Sequence, residues 1–231
     1  MRETTKVVVL GCPGREETTF STVAALDGHG GGSNLDGGKF LYWNGETPPP
    51  PVPKGWSVEW GRRDEGDSHR PTRTRVDVWR MLRWAGNCDL VYLEDDVLPC
   101  RNALLYMHVW PSEKFTTFFN IRNLPHGPWT IDNAGWWGSQ AAKIPARLLS
   151  RFQADGAEKT KSLHFGQDMV MSRLLQSWKE QIYVHRSIVQ HVGDVSIFQP
   201  GAKLTAARAP ARDFVGYDYD ALSGAERLRG S

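Results

Sequence analysis

Short apolar runs bounded by turn residues recur along the first part of the chain and predict buried β-strands. Residues 6–10 (KVVVL) and 89–93 (DLVYL) are apolar almost throughout, a pattern typical of strands that are covered on both faces in a parallel sheet. Residues 39–44 (KFLYWN) predict another strand, and residues 56–60 (WSVEW) alternate as a half-buried strand does. This part of the chain therefore predicts four strands.

Helical segments separate the first strand from the second and the third strand from the fourth. The turn GCPG ends the first strand, and a helix is predicted from Glu16 to Leu26. The segment DGHGGGSNLDGG that follows predicts a flexible glycine-rich loop. Pro71 opens a second helix that ends at Gly86. Its apolar residues recur at helical spacing: Val76, Trp79, Leu82 and Ala85. Strands that alternate with helices predict a doubly wound, mostly parallel α/β core.

The second half of the chain carries a weaker pattern. Without internal repeats or a clear linker, the whole chain, 1–231, is predicted to be one domain. Its two lobes span about 1–100 and about 101–198, and residues 199–231 form a C-terminal extension. The predicted elements of the second half are a helix near 102–110, a strand at 115–121, a loop at 122–133, helices near 145–153 and 166–178, and two short strands within 181–193.

Composition narrows the class of protein. Hydrophobic residues make up 40% of the chain, which is ordinary for a globular protein. The longest apolar runs, 7–10 and 103–110, are too short to cross a bilayer, and the N-terminus has no signal-peptide pattern. Three cysteines without a CxxC pair indicate a reducing compartment. We therefore expect a soluble, cytoplasmic protein with no membrane partner, and the sequence leaves its oligomeric state open.

Arginine is distributed unevenly. The net charge is only +2, yet seven arginines and no lysine lie between Arg62 and Arg83. Four more lie near the C-terminus: Arg208, Arg212, Arg227 and Arg229. Arginine grips phosphate in a bidentate manner, so these runs suit a polyanionic partner such as DNA. A solvated helix face would explain them equally well.

Three common nucleotide-binding and hydrolase motifs are absent. The glycine-rich segment fails the dinucleotide pattern because Ser33 occupies the position of its last glycine. The chain also contains neither a GxxxxGK[ST] phosphate loop nor a nucleophile elbow. These absences argue against an ordinary ATPase and against an α/β-hydrolase.

Three consecutive carboxylates follow the strand at 89–93, in the stretch LVYLEDDVLP. Ligands of open α/β sheets bind beyond the carboxyl ends of the strands, which is where Glu94, Asp95 and Asp96 are expected. Mg²⁺ and Mn²⁺ are commonly held by one or two protein carboxylates, and the phosphates of a substrate complete their coordination. A solvated turn is the alternative, but the tightly flanking apolar residues favour a metal-bound diphosphate.

The stretch LVYLEDDV resembles the DxD region of glycosyltransferases with the GT-A fold. Three further segments are similar to these enzymes in the same order along the chain, so that the resemblance covers roughly residues 6–198. They are GCPGREETTFSTVAAL, WWGSQA at 136–141, and FGQDMVMSRLL followed by SIVQHVGDVS. The resemblance implies an α/β fold of GT-A (Rossmann-like) type, with a mixed, mostly parallel sheet flanked by helices.

The resemblance also implies roles for individual residues. Asp96, Glu94 and His191 would hold Mn²⁺ or Mg²⁺, with the imidazole favouring Mn²⁺. Asp168 would be the general base of an inverting transfer; if it only caps a helix N-terminus, a retaining mechanism becomes possible. The nucleotide would contact Pro13, Arg15, Asn44, Arg75, Glu94 and Asp95. The acceptor would contact Trp136, Trp137, Gly138 and Gln140.

The sequence thus predicts a metal-dependent glycosyltransferase with a nucleotide-sugar donor, for which UDP-glucose is the default. The acceptor is suggested by a resemblance to phage enzymes that glycosylate hydroxymethylated pyrimidines in DNA. Such an acceptor would be 5-hydroxymethylcytosine or 5-hydroxymethyluracil. Three alternatives stay open: a saccharide or other small acceptor, a nucleotidyltransferase, and a non-enzymatic nucleic-acid-binding module. The segment GCPGRE is a poor nucleotidyltransferase loop, and a binding module leaves the acidic triplet unexplained.

Overall fold

The fold was analysed in a computed structural model. It describes residues 5–35, 38–45, 47–61, 70–111, 113–120, 122–131, 140–159, 167–192 and 210–223, with the side chains of 70–77, 156–159 and 167 outside this set. The strands are β1 (Thr5–Gly11), β2 (Lys39–Asn44), β3 (Trp56–Gly61), β4 (Asp89–Glu94), β5 (Val97–Pro99), β6 (Phe115–Thr117), β7 (Gly127–Thr130), β8 (Ala141–Ile144), β9 (Gln181–Val184) and β10 (Val189–His191). The helices are α1 (Glu16–Asp27), α2 (Arg70–Ala85), α3 (Ala103–Val109), α4 (Ala146–Lys159) and α5 (Gln167–Ser177).

Eight strands form one sheet in the order β3-β2-β1-β4-β8-β6-β9-β7, and β5 pairs with β10 in a separate two-stranded sheet. Strands β1 to β4 are parallel to one another, β8 runs against β4 and β6, and β6 is parallel to β9. Six of the eight strands therefore point the same way. The predicted α/β fold class, with a mixed, mostly parallel sheet flanked by helices, is confirmed.

The central strands are buried on both faces. In β1, Val7 and Val9 pack with α1 and α3 on one side of the sheet, whereas Val8 packs with α2, α4 and α5 on the other. Each of these valines is at most 1% exposed, and burying such a side chain contributes about 1.5–3 kcal/mol. Two apolar layers thus hold the sheet between helices, as the apolar runs of β1 and β4 predict.

Two predictions about the second half were wrong. The segment 122–133 was expected to be a loop because of its Gly and Pro, yet it contains β7, which pairs with β9. Strand β7 lies at the edge of the sheet, where the missing N–H of Pro128 removes no bond needed by a neighbouring strand. The strand predicted at 115–121 ends at Thr117. The short strands β5 and β8 were not predicted at all.

The glycine-rich segment, predicted to be a flexible loop, contains a short 3₁₀ turn among its described residues. Gly31 and Gly32 are buried, and Gly32 begins a short 3₁₀ turn. Gly31 has φ of +78°, a conformation that favours glycine. The carbonyl of Gly32 accepts a hydrogen bond of 2.8 Å from the buried Nζ of Lys39. The glycines therefore let the chain turn tightly against α3.

The described C-terminal segment, residues 210–223, packs against the rest of the fold. It lies against α3 and the turn after β9, with an isolated bridge between Arg101 and Asp220.

Within the described part of the chain, none of the helices combines the length and the apolar character that a membrane crossing requires.

Candidate active site at the carboxyl edge of the sheet

The parallel strands bring three chain segments to one edge of the sheet. Register pairs Gly11 with Trp43 and Leu10 with Glu94, so β1, β2 and β4 end side by side. The loop after β1 carries Arg15 directly before α1, and the turn after β4 carries the acidic residues. This edge is where ligands bind in open α/β sheets.

Asp95 is buried against the first helix. Its carboxylate lies 3.2 Å from Nε of Arg15 and accepts a hydrogen bond of 3.2 Å from the hydroxyl of Thr19. Its backbone carbonyl accepts a further bond of 3.0 Å from the hydroxyl of Thr22. Burial raises the pKa of Asp95 well above its ordinary value, even though the positive charge of Arg15 opposes this shift.

Asp96 is buried on the other side of the same turn. Oδ2 of Asp96 is in contact with Nη2 of Arg15 and lies 2.9 Å from Nε2 of His191. His191 reaches this position because β10 pairs antiparallel with β5, which places it opposite Val97. Burial opposes the charge of Asp96, but the hydrogen bond from His191 and the charge of Arg15 together lower its pKa.

Direct side-chain contacts link Arg15, Asp95, Asp96 and His191, and we call these four residues the acidic cluster. Burial alone would lower the pKa of the Arg15 guanidinium, but the two carboxylates raise it above the ordinary value. Arg15 thus contacts both carboxylates directly, and its contact with a nucleotide stays a prediction.

Several buried polar atoms near this edge of the sheet have no hydrogen-bond partner among the described residues. Most buried polar side-chain atoms in native proteins are paired, so such a concentration needs an explanation, and a polar ligand supplies one. The atoms near the ends of β2 and β4 and the start of β8 are both side-chain atoms of Asn44, the hydroxyl of Tyr92, Oδ1 of Asp96 and Oε1 of Gln140.

Tyr92 is a site residue that sequence reasoning missed. Its side chain is only 1% exposed, and its hydroxyl is one of the unpaired atoms. Burial raises the pKa of Tyr92, and the charges of four carboxylates add to this effect. Those carboxylates belong to Glu94, Asp95, Asp96 and Asp168. The sequence carried one usable indication, since Tyr92 and Glu94 are two positions apart and share a face of β4.

Asp168 lies in the first turn of α5 and is partly exposed. Its Oδ1 accepts a hydrogen bond of 2.8 Å from the backbone N–H of Met169, and burial raises its pKa above the ordinary value. Its charge acts on Tyr92 together with that of Glu94. Asp168 therefore lies near enough to Tyr92 to influence its pKa, while its role as a base stays a prediction.

The remaining predicted residues divide into those that meet at this edge and those outside the described set. The backbone N–H of Glu94 donates to the carbonyl of Gln140 over 3.0 Å. The loop of Pro13 packs so closely on Gly45 that a Cβ there would lie 2.1 Å from the proline ring, which places Pro13 next to the end of β2. The side chain of Arg75 and residues Trp136, Trp137 and Gly138 lie outside the described residues.

The donor set was tested against a divalent cation. Two ligands at right angles around an octahedral ion, each bound at about 2.1 Å, are about 3.0 Å apart, and Oδ2 of Asp96 and Nε2 of His191 are 2.9 Å apart. Oδ1 of Asp96 is buried and unpaired. In the described segments, however, no three His, Cys, Asp or Glu side chains converge as a ready metal site. Asp96 and His191 could therefore supply two ligands of a divalent cation, and its remaining ligands would have to come from other groups.

The chain was also compared with known proteins. No protein-family model matches it, and no curated protein does. Among solved structures, the glycosyltransferase GlyE of Streptococcus pneumoniae TIGR4 is similar at 9% sequence identity with a TM-score of 0.45. The match covers 79% of this chain and 45% of that one, so the chain spans less than half of that protein's structure. A similarity of this size assigns no activity.

Proposed function

We propose that this protein is a metal-dependent glycosyltransferase that moves a sugar from a nucleotide sugar to an acceptor hydroxyl. The observation that supports the proposal is the set of unpaired buried polar atoms near the carboxyl edge of the sheet, Oδ1 of Asp96 among them, where α/β proteins bind ligands. Carboxylates beside an arginine and a histidine are the groups that a cation-bound diphosphate would need.

Asp96 and His191 would hold the cation, with Asp95 and Glu94 adding negative charge around it. A bound Mn²⁺ or Mg²⁺ would supply charge stabilisation for the departing diphosphate. Arg15 is in contact with both aspartates, so it would have to release at least one of them to the cation. Its guanidinium could then donate to the diphosphate in a bidentate manner.

Asp168 would take the proton from the acceptor hydroxyl. The acceptor oxygen forms a bond to the anomeric carbon, the bond between that carbon and the diphosphate oxygen breaks, and the nucleoside diphosphate leaves with the electron pair. A carboxylate whose pKa is raised by burial is a better proton acceptor near neutral pH than an ordinary one. One displacement of this kind inverts the anomeric centre.

The identities of the donor and the acceptor are proposed from the sequence. UDP-glucose is the default donor because the resemblance at LVYLEDDV is to enzymes that use nucleotide sugars. A hydroxymethylated pyrimidine in DNA is the proposed acceptor because of the arginine-rich segments. The side chains of most of those arginines lie outside the described residues, so the support for this part of the proposal is their pattern in the sequence.

The proposal is tested by incubating the protein with Mn²⁺ and a panel of nucleotide sugars, and measuring the release of nucleoside diphosphate. Asp96→Asn is the inactive control, and Glu113→Gln, at an exposed glutamate, is the matched neutral control. Release with one nucleotide sugar that is lost in Asp96→Asn supports the proposal. Release of pyrophosphate from a nucleoside triphosphate instead would identify a nucleotidyltransferase.

A second experiment addresses the acceptor. Duplexes that contain 5-hydroxymethylcytosine, 5-hydroxymethyluracil or no modification are incubated with the donor, digested and analysed by mass spectrometry for added sugar. Sugar on a hydroxymethylated base supports DNA as the acceptor. Sugar on a simple saccharide, with none on any DNA, would overturn the DNA acceptor and leave the glycosyltransferase proposal standing.

A further inference from the structure

A cavity lies beside the turn after β9 and is lined by none of the acidic-cluster residues. Its volume is about 330 Å³, at the lower end of the range for small-molecule sites. Its walls come from α3, from the turn after β9, from the loop before β7 and from the described C-terminal segment. The residues that matter for its chemistry are Tyr106, His126, Tyr183, His185, Arg186 and Tyr219.

One buried network holds these walls in place. Oδ1 of Asp213 accepts a hydrogen bond of 2.5 Å from the hydroxyl of the fully buried Ser187. Oδ2 of the same carboxylate accepts from Nδ2 of Asn120 over 3.1 Å and lies 2.8 Å from Nε2 of His126. Asp213 thereby ties three separate segments together, so the cavity is formed before any ligand arrives.

The inner wall presents aromatic rings and a defined pattern of donors and acceptors. Nδ1 of His185 lies 2.7 Å from the carbonyl of Arg186, to which it must donate, so its Nε2 accepts the hydrogen bond of 3.0 Å from the hydroxyl of Tyr106. Burial lowers the pKa of His185 to about 4, which keeps the imidazole neutral at physiological pH. The hydroxyl of Tyr106 keeps its acceptor capacity, and Tyr183 and Tyr219 lie near enough to influence its pKa.

The mouth of the cavity carries a positive charge. The side chain of Arg186 is exposed, and none of the described carboxylates forms an ion pair with it. His126 lies 2.8 Å from a carboxylate oxygen of Asp213, which belongs to the network described above. Aromatic rings suit the flat faces of a sugar or a base, and an exposed guanidinium suits phosphate.

From this combination we propose that the cavity binds a phosphorylated ring, either a sugar phosphate or a mononucleotide. The ring would lie against the tyrosines, and the phosphate would pair with Arg186. This site is separate from the proposed donor site, so it does not depend on the proposed function. The turn that carries Arg186 leads directly into β10, which carries His191. The cavity and the acidic cluster are therefore connected by a short stretch of the chain.

The test is calorimetric titration of the full chain, in EDTA and without any donor, with glucose 6-phosphate, thymidine monophosphate and unphosphorylated glucose. EDTA removes metal-assisted binding at the acidic cluster. We expect one of the two phosphorylated ligands to bind and glucose to bind at least about tenfold more weakly, since a charge-assisted contact is lost. Which of the two binds more tightly distinguishes a sugar phosphate from a mononucleotide.

Variants assign the binding to the cavity. Arg186→Gln should weaken it about tenfold, whereas Arg83→Gln, an exposed arginine at the end of α2, should leave it unchanged. Asp96→Asn should also leave it unchanged. Absence of binding at about 10 mM ligand, equal binding of glucose, or no effect of Arg186→Gln would overturn the proposal. Loss of binding in Asp96→Asn would do so too, because the ligand would then lie at the acidic cluster.

Discussion

Two buried cations of this fold have opposite surroundings. Arg15 lies between Asp95 and Asp96, and the two carboxylates hold it charged. Lys143 of β8 is only 2% exposed and has no carboxylate in direct contact among the described residues. The acidic cluster thus pairs its buried cation with carboxylates, whereas the site around Lys143 does not.

The site around Lys143 is satisfied by the backbone. Its Nζ donates to the carbonyls of His108 and Trp110 over 2.8 Å and 2.6 Å, so it fastens the end of α3 to the sheet. Burial lowers the pKa of Lys143 to about 8, and Asp89 opposes this shift. No unpaired atom of Lys143 remains, which indicates a structural role.

The acidic cluster has more charge than the fold requires. Its two buried carboxylates share one guanidinium, and an oxygen of Asp96 is left without a partner in the described structure. Burying charges costs free energy unless they are fully paired. Because the acidic cluster lies at the sheet edge where ligands bind, we expect changes to it to alter activity. Changes at Lys143 should alter stability instead.

The largest expected effect is that of Asp96→Asn. It removes a proposed cation ligand, so sugar transfer should fall by at least about 10³-fold, and Mn²⁺-dependent binding of UDP should be lost. The fold lowers the pKa of Asp96, so the change should also cost some stability at neutral pH, and affinity is compared at a temperature where the variant is folded. Calorimetry with Mn²⁺ and UDP, alongside thermal unfolding, measures both; unchanged affinity would contradict the assignment.

Asp168→Asn separates chemistry from binding within the same region. Turnover should fall by roughly 10²–10⁴-fold, the range for a lost general base, while donor affinity stays nearly constant. Steady-state kinetics and donor titration are the measurements, with Glu113→Gln as the control. A variant with wild-type turnover would leave Asp168 as an N-terminal acid that merely favours the helix dipole.

Lys143→Met tests the other region, where stability and not activity should respond. The unfolded chain keeps the ordinary pKa of 10.5 and the folded chain has a pKa of about 8, so between these values the unfolded state binds more protons. The free energy of unfolding of the wild type should therefore rise with pH across this window, by about 3 kcal/mol relative to the variant.

Denaturant unfolding at pH 7 and at pH 10 measures this difference. The cost of burying the charge is present in full below pH 8, so the wild type has no such slope there. The exposed Lys54, changed to Met, is the matched control and should reproduce the wild-type slope. If Lys143→Met also keeps that slope, the lysine is not the titrating group.

The smallest effect concerns the competition between Arg15 and a cation. Arg15→Gln removes a positive charge that both aspartates now hold, so Mn²⁺ alone should bind about tenfold more tightly than to the wild type. Arg15→Lys keeps the charge and should bind Mn²⁺ as the wild type does. Titration of Mn²⁺ without nucleotide decides this, and an unchanged affinity in Arg15→Gln would show that Arg15 does not occupy the cation's place.

The sequence alone determined the central part of the fold. Strands such as β2, found at the predicted bounds of 39–44, and the helix that begins at Glu16 follow from apolar periodicity and from turn residues, which act locally. The acidic stretch after β4 was located for the same reason, because a buried strand must end in a turn at the sheet edge.

Tertiary structure decided what those local signals could not. The contact between His191 and Asp96 joins residues that are 95 positions apart, and it exists only because β10 pairs with β5, a strand of three residues that is too short for periodicity to detect. The unpaired hydroxyl of Tyr92 is likewise invisible in an apolar run. Local patterns fix elements because they act over a few residues, whereas pairing and burial of a polar atom depend on which elements come to lie beside it.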